Sequence, residues 1–273
     1  MACIPVIEGD FLLVQVGGSP LASDRLDVSL LKPNGTGLVA FDKYTGVVRY
    51  KVGNHLAGCA SPVLATIGGR RGCLLFARSG LIGLDPATAT GDFHYRWQAR
   101  ELQSVNASNP VVVGDRVFIS ETYGPGSALL QMKLGACEAV WSDKDRPCGK
   151  TMQCHWMTPI HVDSYLYGCS GRNSSDAELR CIELVTGKLV WSQRDLKRTS
   201  LLLVDGHFVC LAEDGVLRLL KVNPEKYHEV SQMTVPGLQS QCWAAPILAH
   251  GLLYVRGRNQ LTCLGLSSST QVL

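Results

Sequence analysis

Charge is scarce in this chain, aromatic residues are few, and no two cysteines stand close enough together to share a metal or redox motif. Only 18% of the 273 residues are charged, the net charge is +3, and the densest cationic cluster is Gly69-Arg70-Arg71. Binding to a phosphate backbone needs a concentrated basic stripe, so nucleic acid is not an expected partner. No apolar run approaches the roughly 18–20 residues of a transmembrane helix, and the N-terminus, Met1-Ala2-Cys3-Ile4-Pro5-Val6, lacks the basic and apolar regions of a secretion signal. The 11 cysteines include no adjacent pair and no Cys-x-x-Cys, which excludes a zinc ribbon, a thioredoxin-type site and c-type haem attachment. Scattered in this way, they read as small buried hydrophobes in strands. Disulfides are expected only if the chain is exported, with Cys148 and Cys154 the pair to test. Three Asn-x-Ser/Thr triplets begin at Asn34, Asn106 and Asn173.

Apolar residues, in contrast, make up 46% of the chain, enough for a substantial core. Their organisation is clearest from Leu179 to Trp191. There Leu179, Cys181 and Leu184 form one apolar run, Leu189 to Trp191 another, and Thr186-Gly187 supplies the positive φ of a tight reversal. A lone hairpin is not stable in water and must pack on others like it. Leu38 to Tyr50 repeats the unit around Asp42 and Thr45-Gly46, and Leu81 to Trp97 repeats it around Asp85 and Thr90-Gly91 with extra residues in the turn. The closing aromatics Tyr50, Trp97, Trp141 and Trp191 recur at intervals of about 44–50 residues.

Upstream of each hairpin lies a strand, a turn and a second strand. The first strands begin near Pro5, Pro62, Pro110, Pro159, Leu201 and Pro246, and proline at such a position costs no ladder hydrogen bond. Residues 18–37, rich in Ser, Gly, Pro and Asp, are an inserted loop. Four strands per repeat at this period predict an all-β fold, a β-propeller of four-stranded antiparallel blades, with about six blade units in a single domain spanning residues 1–273.

The recurring Ser/Thr-Pro-Val, Asp-Gly-x-Val-Tyr, Leu-x-x-Leu-Asp-x-x-Thr-Gly and closing Trp resemble the repeats of the pyrroloquinoline-quinone-like β-propellers. The resemblance runs from Pro5 to Leu266 and is nearest to the exported bacterial propeller lipoproteins of outer-membrane assembly, the BAM complex. It implies a periplasmic or exported setting and docking of Trp97, Trp141 and Trp191 between neighbouring sheets, with Tyr50 departing from that pattern. It also implies a ring of about eight blades. About two blades are then expected upstream of Met1, since the sixth repeat offers only three strands before Ser267 and Met1 to Ile4 is too short to supply a fourth. Unclosed edges of that kind are expected to drive self-association.

The family's enzymatic branch needs carboxylate and Asn ligands for calcium at a quinone, in some members with an adjacent Cys pair. Here Asp42 and Asp85 belong to turn motifs, as do Asp10, Asp115, Asp163 and Asp205, and no Cys-Cys occurs. The expectation is therefore no catalytic residues, no metal, no cofactor and a protein-binding scaffold, with a quinone-dependent dehydrogenase or its degenerate relative as the alternative and a structural cell-envelope protein as a third reading. The resemblance places the approach to each first strand and each second-to-third turn at the mouth of the propeller funnel. Those positions hold His155, Trp156 and Trp243, and Arg78, Arg172, Arg256 and Arg258. Aromatic and guanidinium groups at such a mouth suit an anionic or sugar-like ligand or a partner protein.

Overall fold

The computed structural model describes residues 3–20, 31–100 and 105–266. Strands are the only regular secondary structure among them, and they fall into two compact units, Met1–Thr158 with Leu184–Gly187, and Pro159–Glu183 with Lys188–Leu273.

The first unit holds three four-stranded sheets. Sheet 1 is β1 (Val6–Glu8), β2 (Phe11–Val14), β3 (Leu38–Asp42) and β4 (Val48–Val52). Sheet 2 is β5 (Val63–Ile67), β6 (Arg70–Ala77), β7 (Gly80–Asp85) and β8 (Thr90–Arg96), and sheet 3 is β9 (Val111–Val113), β10 (Arg116–Glu121), β11 (Gly126–Lys133) and β12 (Ala136–Ser142). In the second unit, sheet 4 is β13 (Ile160–Val162), β14 (Tyr165–Ser170), β15 (Glu178–Glu183) and β16 (Leu189–Gln193). Sheet 5 is β17 (Thr199–Val204), β18 (His207–Ala212), β19 (Val216–Lys221) and β20 (Glu229–Thr234), and sheet 6 is β21 (Ile247–Ala249), β22 (Leu252–Arg256) and β23 (Leu261–Gly265). Strands pair antiparallel in chain order in every sheet, so local connections suffice, and the β2–β3 connection of sheet 1 carries the long insertion. Sheet 6 has three strands among the described residues, and the tail from Ser267 lies outside them, as does the middle of the 18–37 insertion. The ends of that insertion are held together where Gly17 N–H donates to Thr36 O at 2.6 Å and Asn34 N–H to Gly18 O at 3.2 Å.

The hairpin turns explain the Asp-x-x-Thr-Gly spacing. One Asp42 carboxylate oxygen accepts from the backbone N–H of Tyr44 and Thr45 and from the Thr45 hydroxyl, at 2.9–3.1 Å. This local capping lets Asp fold the chain back on itself and holds the Asp42 carboxyl below its ordinary range. Gly46 takes the positive φ of 72° and donates to Asp42 O at 2.8 Å. The second repeat corrects the reading of its turn. Asp85 caps Ala87 and Thr88, Ala89 occupies the glycine position with φ 58° and donates to Asp85 O at 3.0 Å, and Thr90-Gly91 already lies in β8. There are no extra residues, and an alanine adopts the left-handed conformation. In all five third-to-fourth strand pairs the register shifts by one residue, near the turn in four of them, as between Ala40 and Phe41 or Cys181 and Ile182, and four pairs away from it in sheet 3, between Leu129 and Leu130. Such a bulge increases local twist.

Sheets pack face to face through buried clusters. Leu13, Leu38 and Ala40 of sheet 1 meet Cys73, Leu75 and Ile82 of sheet 2, and Leu74 and Phe76 of sheet 2 meet Val117, Ile119 and Leu130 of sheet 3. In the second unit Tyr167 and Cys181 meet Phe208 and Cys210, and Val209 and Leu211 meet Leu253 and Val255. Tyr50, Trp97 and Trp191 belong to these seams. Trp97 is 1% exposed within the seam of sheets 2 and 3. Trp141 Nε1–H donates to Leu184 O at 2.9 Å, and Trp191 Nε1–H reaches across to Asn223 O, beyond β19, at 3.1 Å. Tyr50, expected to depart from the pattern, follows it: its hydroxyl donates to Pro86 O, just past β7 of the next sheet, at 2.6 Å. Its phenol replaces the indole as the donor.

The cysteines are free thiols. Burial pushes Cys73 and Cys169 up to about 12, which keeps them protonated and inert. Cys148 is exposed and Cys154 buried.

Candidate functional site

Each linker into a new sheet runs past the end of the preceding sheet's second strand. In the first unit Asn106, on the way to β9, donates from Nδ2 to Ala77 O at 2.7 Å and Trp97 O at 3.0 Å, while its backbone carbonyl accepts from Cys59 and Ala60. Asn106 is 2% exposed, so its Asn-x-Ser triplet is a structural bracket with no room for a glycan. Likewise Cys154 N–H donates to Ser120 Oγ at 2.9 Å and Ser120 Oγ to Met152 O at 3.1 Å, tying the linker after sheet 3 to the end of β10. In the second unit Thr199 N–H points at Cys169 Sγ, and the Gln241 and Cys242 amides donate to Glu213 O. The linker residues and second-to-third turns therefore share one end of each sheet, and it is there that the candidate residues lie.

In the first unit His155 and Trp156 are half-buried neighbours with ring centroids 4.8 Å apart. Tyr123, in the β10–β11 turn, meets the His155 ring edge-on at 5.5 Å and pairs its hydroxyl with Nε2 at 3.0 Å. Tyr123 did not stand out in the sequence, because the fold alone brings it 32 residues back to His155.

Arg78 lies in the β6–β7 turn, where burial lowers its guanidinium below its ordinary value. Its backbone N–H donates to Leu56 O at 3.1 Å, drawing the 54–57 segment against the turn. Ser79 Oγ then faces His55 Nδ1 at 3.3 Å and His94 Nε2 at 3.2 Å, with the two imidazoles edge-to-face at 4.9 Å. Burial first, and then the neighbouring His94, pull the His55 imidazole below its ordinary value. Sequence reasoning found Arg78 but missed His55, Ser79 and His94, whose spacing carries no motif.

In the second unit Trp243 is 39% exposed and precedes β21, and Arg256 and Arg258 are exposed at the β22–β23 turn. Arg172 is exposed in the β14–β15 turn, its carbonyl accepting from Arg198 Nη1 at 3.1 Å. Arg198 also grips Glu213 through Nε at 3.0 Å and through Nη2, and the Ser174 hydroxyl closes on the same carboxylate. Burial opposes the charge on Glu213, but the hydrogen bonds from Arg198 and Ser174 outweigh it and hold the carboxyl below its ordinary range. This acid, next to the predicted arginines, was not singled out from sequence. Behind sheet 3 in the first unit, buried Asp143 accepts from the Ser127 amide and hydroxyl and from the Thr151 amide and hydroxyl at 2.8–3.1 Å, a clamp for the 143–152 loop that also has no sequence signature.

Comparison with known proteins agrees with this architecture. A family model described as outer membrane protein assembly factor BamB matches residues 11–193, more than half of the chain. Among solved structures, BamB from Moraxella catarrhalis superimposes with a TM-score of 0.65 at 16% identity, over 95% of this chain and 67% of that one. The computationally designed Ika8 protein gives 0.63 at 10% identity over 95% and 69%. The Cps50 (Swd1) β-propeller domain of Myceliophteria thermophila gives 0.55 at 12% identity over 96% and 87%. No curated protein matches the sequence significantly. The fold is a β-propeller built from four-stranded antiparallel blades, with about six blade units.

Proposed function

The chain belongs to the family of the outer membrane protein assembly factor BamB, and from that premise we propose that it is a non-catalytic scaffold of the cell envelope that docks a protein partner. The observation that carries the reading is the Tyr123–His155–Trp156 group, with the His155 ring in contact with Tyr123 on one hand and Trp156 on the other, at the end of sheet 3 where the linker and the second-to-third turn meet. Aromatic side chains fixed by their neighbours lose little freedom on binding and supply large contact area, the usual make-up of interface anchors. Arg78 adds a cation already partly stripped of water at the equivalent place on sheet 2. Trp243, Arg172, Arg256 and Arg258 are the second unit's candidates for the same role.

Affinity capture of the tagged chain, after mild crosslinking in the cells that make it, tests the proposal. A discrete partner is expected with the native chain and with Tyr44→Ala, whose ring is exposed at an outer hairpin turn, and at least ten-fold less of it with His155→Ala/Trp156→Ala. Equal recovery from all three would remove the site. A quinone-dependent dehydrogenase is the competing reading. Saturable absorbance change on titration with the quinone and calcium, coupled to alcohol-dependent dye reduction, would replace the scaffold with that enzyme.

A further inference from the structure

We propose that the first unit contains a binding pocket for a small, uncharged, single-ring ligand, wedged between sheets 2 and 3 at the end of the sheets opposite Arg78. A cavity of about 120 Å³ lies there, lined by Ala65, Ile67, Leu74, Leu84, Phe93 and Met132.

Its origin is in the strand register. Ala65 pairs with Gly72, and Leu74 pairs with Gly83, which in turn pairs with Phe93. Alternation along each strand puts these residues on one face, the face turned to sheet 3. Two of them have no side chain. At Gly83 the missing volume is taken by Phe93, whose ring would lie 2.1 Å from a Cβ built there. Above Gly72 nothing fills the gap, since a Cβ there would meet only Leu84 O at 3.7 Å and Ala65 O at 4.0 Å. Met132 and Leu134 from sheet 3 form the opposite wall, and Leu134, 82% exposed, stands at the lip.

Size and charge fix the ligand class. An apolar cavity of roughly 150 Å³ holds benzene and stays dry otherwise, so this space suits one six-membered ring. The charged groups at the mouth are already paired. Arg70 binds Asp92 at 3.0 Å and Asp85 at 3.6 Å, Arg71 binds Glu8 at 2.7 Å, and Lys133 binds Glu138 at 2.6 Å. Asp115 accepts from Gly68 N–H at 2.9 Å. A charged ligand would have to break one of these pairs or enter the apolar space unpaired, and either is unfavourable. The pocket therefore selects neutral rings, and this inference does not depend on the scaffold proposal.

Toluene titration followed by methyl NMR is the test. Saturable shifts are expected at the methyl groups of Ile67, Leu74 and Met132, with the signals of the second unit unmoved. Gly72→Val should abolish them by filling the gap, and Gly72→Ala, whose added methyl makes only ordinary contacts, should weaken binding several-fold without altering the fold. Benzoate, the same ring carrying a charge, should bind at least ten-fold more weakly. Absence of saturation in the native chain, or unchanged binding in both glycine variants, overturns the pocket. Equal affinity for benzoate overturns its selectivity for neutral ligands.

Discussion

Replacing Trp191 tests whether the closing aromatics hold neighbouring sheets together. Its indole sits between Tyr167 of its own sheet, at 6.0 Å, and Tyr227 past β19, at 6.2 Å, in the cluster that joins sheets 4 and 5. Its Nε1–H donates to Asn223 O at 3.1 Å. Trp191→Phe keeps a ring in the seam but loses that bond and part of the area. A hydrogen bond of this kind contributes about 1 kcal/mol net, and the lost ring area about 1 more, so a cost of about 2 kcal/mol is expected. Trp191→Ala opens the seam. Fully buried tryptophans cost about 3–5 kcal/mol on truncation, and because Trp191 is half-buried the expected loss is about 3. Trp156→Ala, at a sheet end, should cost about 1 or less. Urea titrations followed by far-UV circular dichroism measure these differences from the midpoints, provided the slope is unchanged. An equally large loss for Trp156→Ala would make Trp156 a core residue and remove its docking role, whereas a loss for Trp191→Ala as small as that expected for Trp156→Ala would refute the seam argument. A Trp191→Phe variant as stable as the native chain would show that the bond to Asn223 contributes nothing.

Other predictions follow from individual contacts. Ala89→Gly should stabilise the chain by about 0.5–1 kcal/mol, because relief of a left-handed alanine outweighs glycine's extra freedom in the unfolded state; a lowered urea midpoint would contradict the turn geometry. Glu213→Gln should cost about 2–4 kcal/mol at pH 7 by leaving Arg198 without its charge partner. Since the Glu213 carboxyl is held below its ordinary range, its contribution is present above the unfolded carboxylate pKa and is lost as pH falls through the folded one. The two chains should thus converge in stability under acid, and a difference that does not shrink at all as the pH is lowered through and below the ordinary carboxylate range would argue against the ion pair. Finally, β23 is an edge strand of the three-stranded sheet 6 among the described residues, with Leu261 66% exposed. We expect residues 1–273 to self-associate in sedimentation experiments and Leu261→Lys to reduce it; a monodisperse native monomer would remove that expectation.

The blade pattern was legible because local chemistry repeats: an acid or its equivalent three residues before Thr-Gly, an aromatic closing the fourth strand, a proline before the first. The second hairpin's turn is hidden in the sequence because glycine is the usual mark of positive φ, whereas here Asp85 caps the turn and Ala89 takes that conformation. Tyr50 was set apart by residue type although a phenol donates across the seam as an indole does. The places of Arg78, His155 and Trp156 at one end of their sheets follow from position within the repeat, a local property. Their neighbours Tyr123, His55, Ser79 and His94 come from other strands and loops, and only the three-dimensional pairing brings them within hydrogen-bond reach. The gap above Gly72 was hidden for the same reason. It depends on which residues of three strands share a face.

The docking claim is tested most directly by placing a photo-reactive benzoylphenylalanine at position 156 and, in a parallel chain, at position 44, and irradiating the cells that make each. We predict one discrete protein adduct from position 156, lost when His155→Ala and Arg78→Glu are added, and none from position 44. The same adducts from both positions, or none from position 156 in a correctly folded chain, would contradict the account.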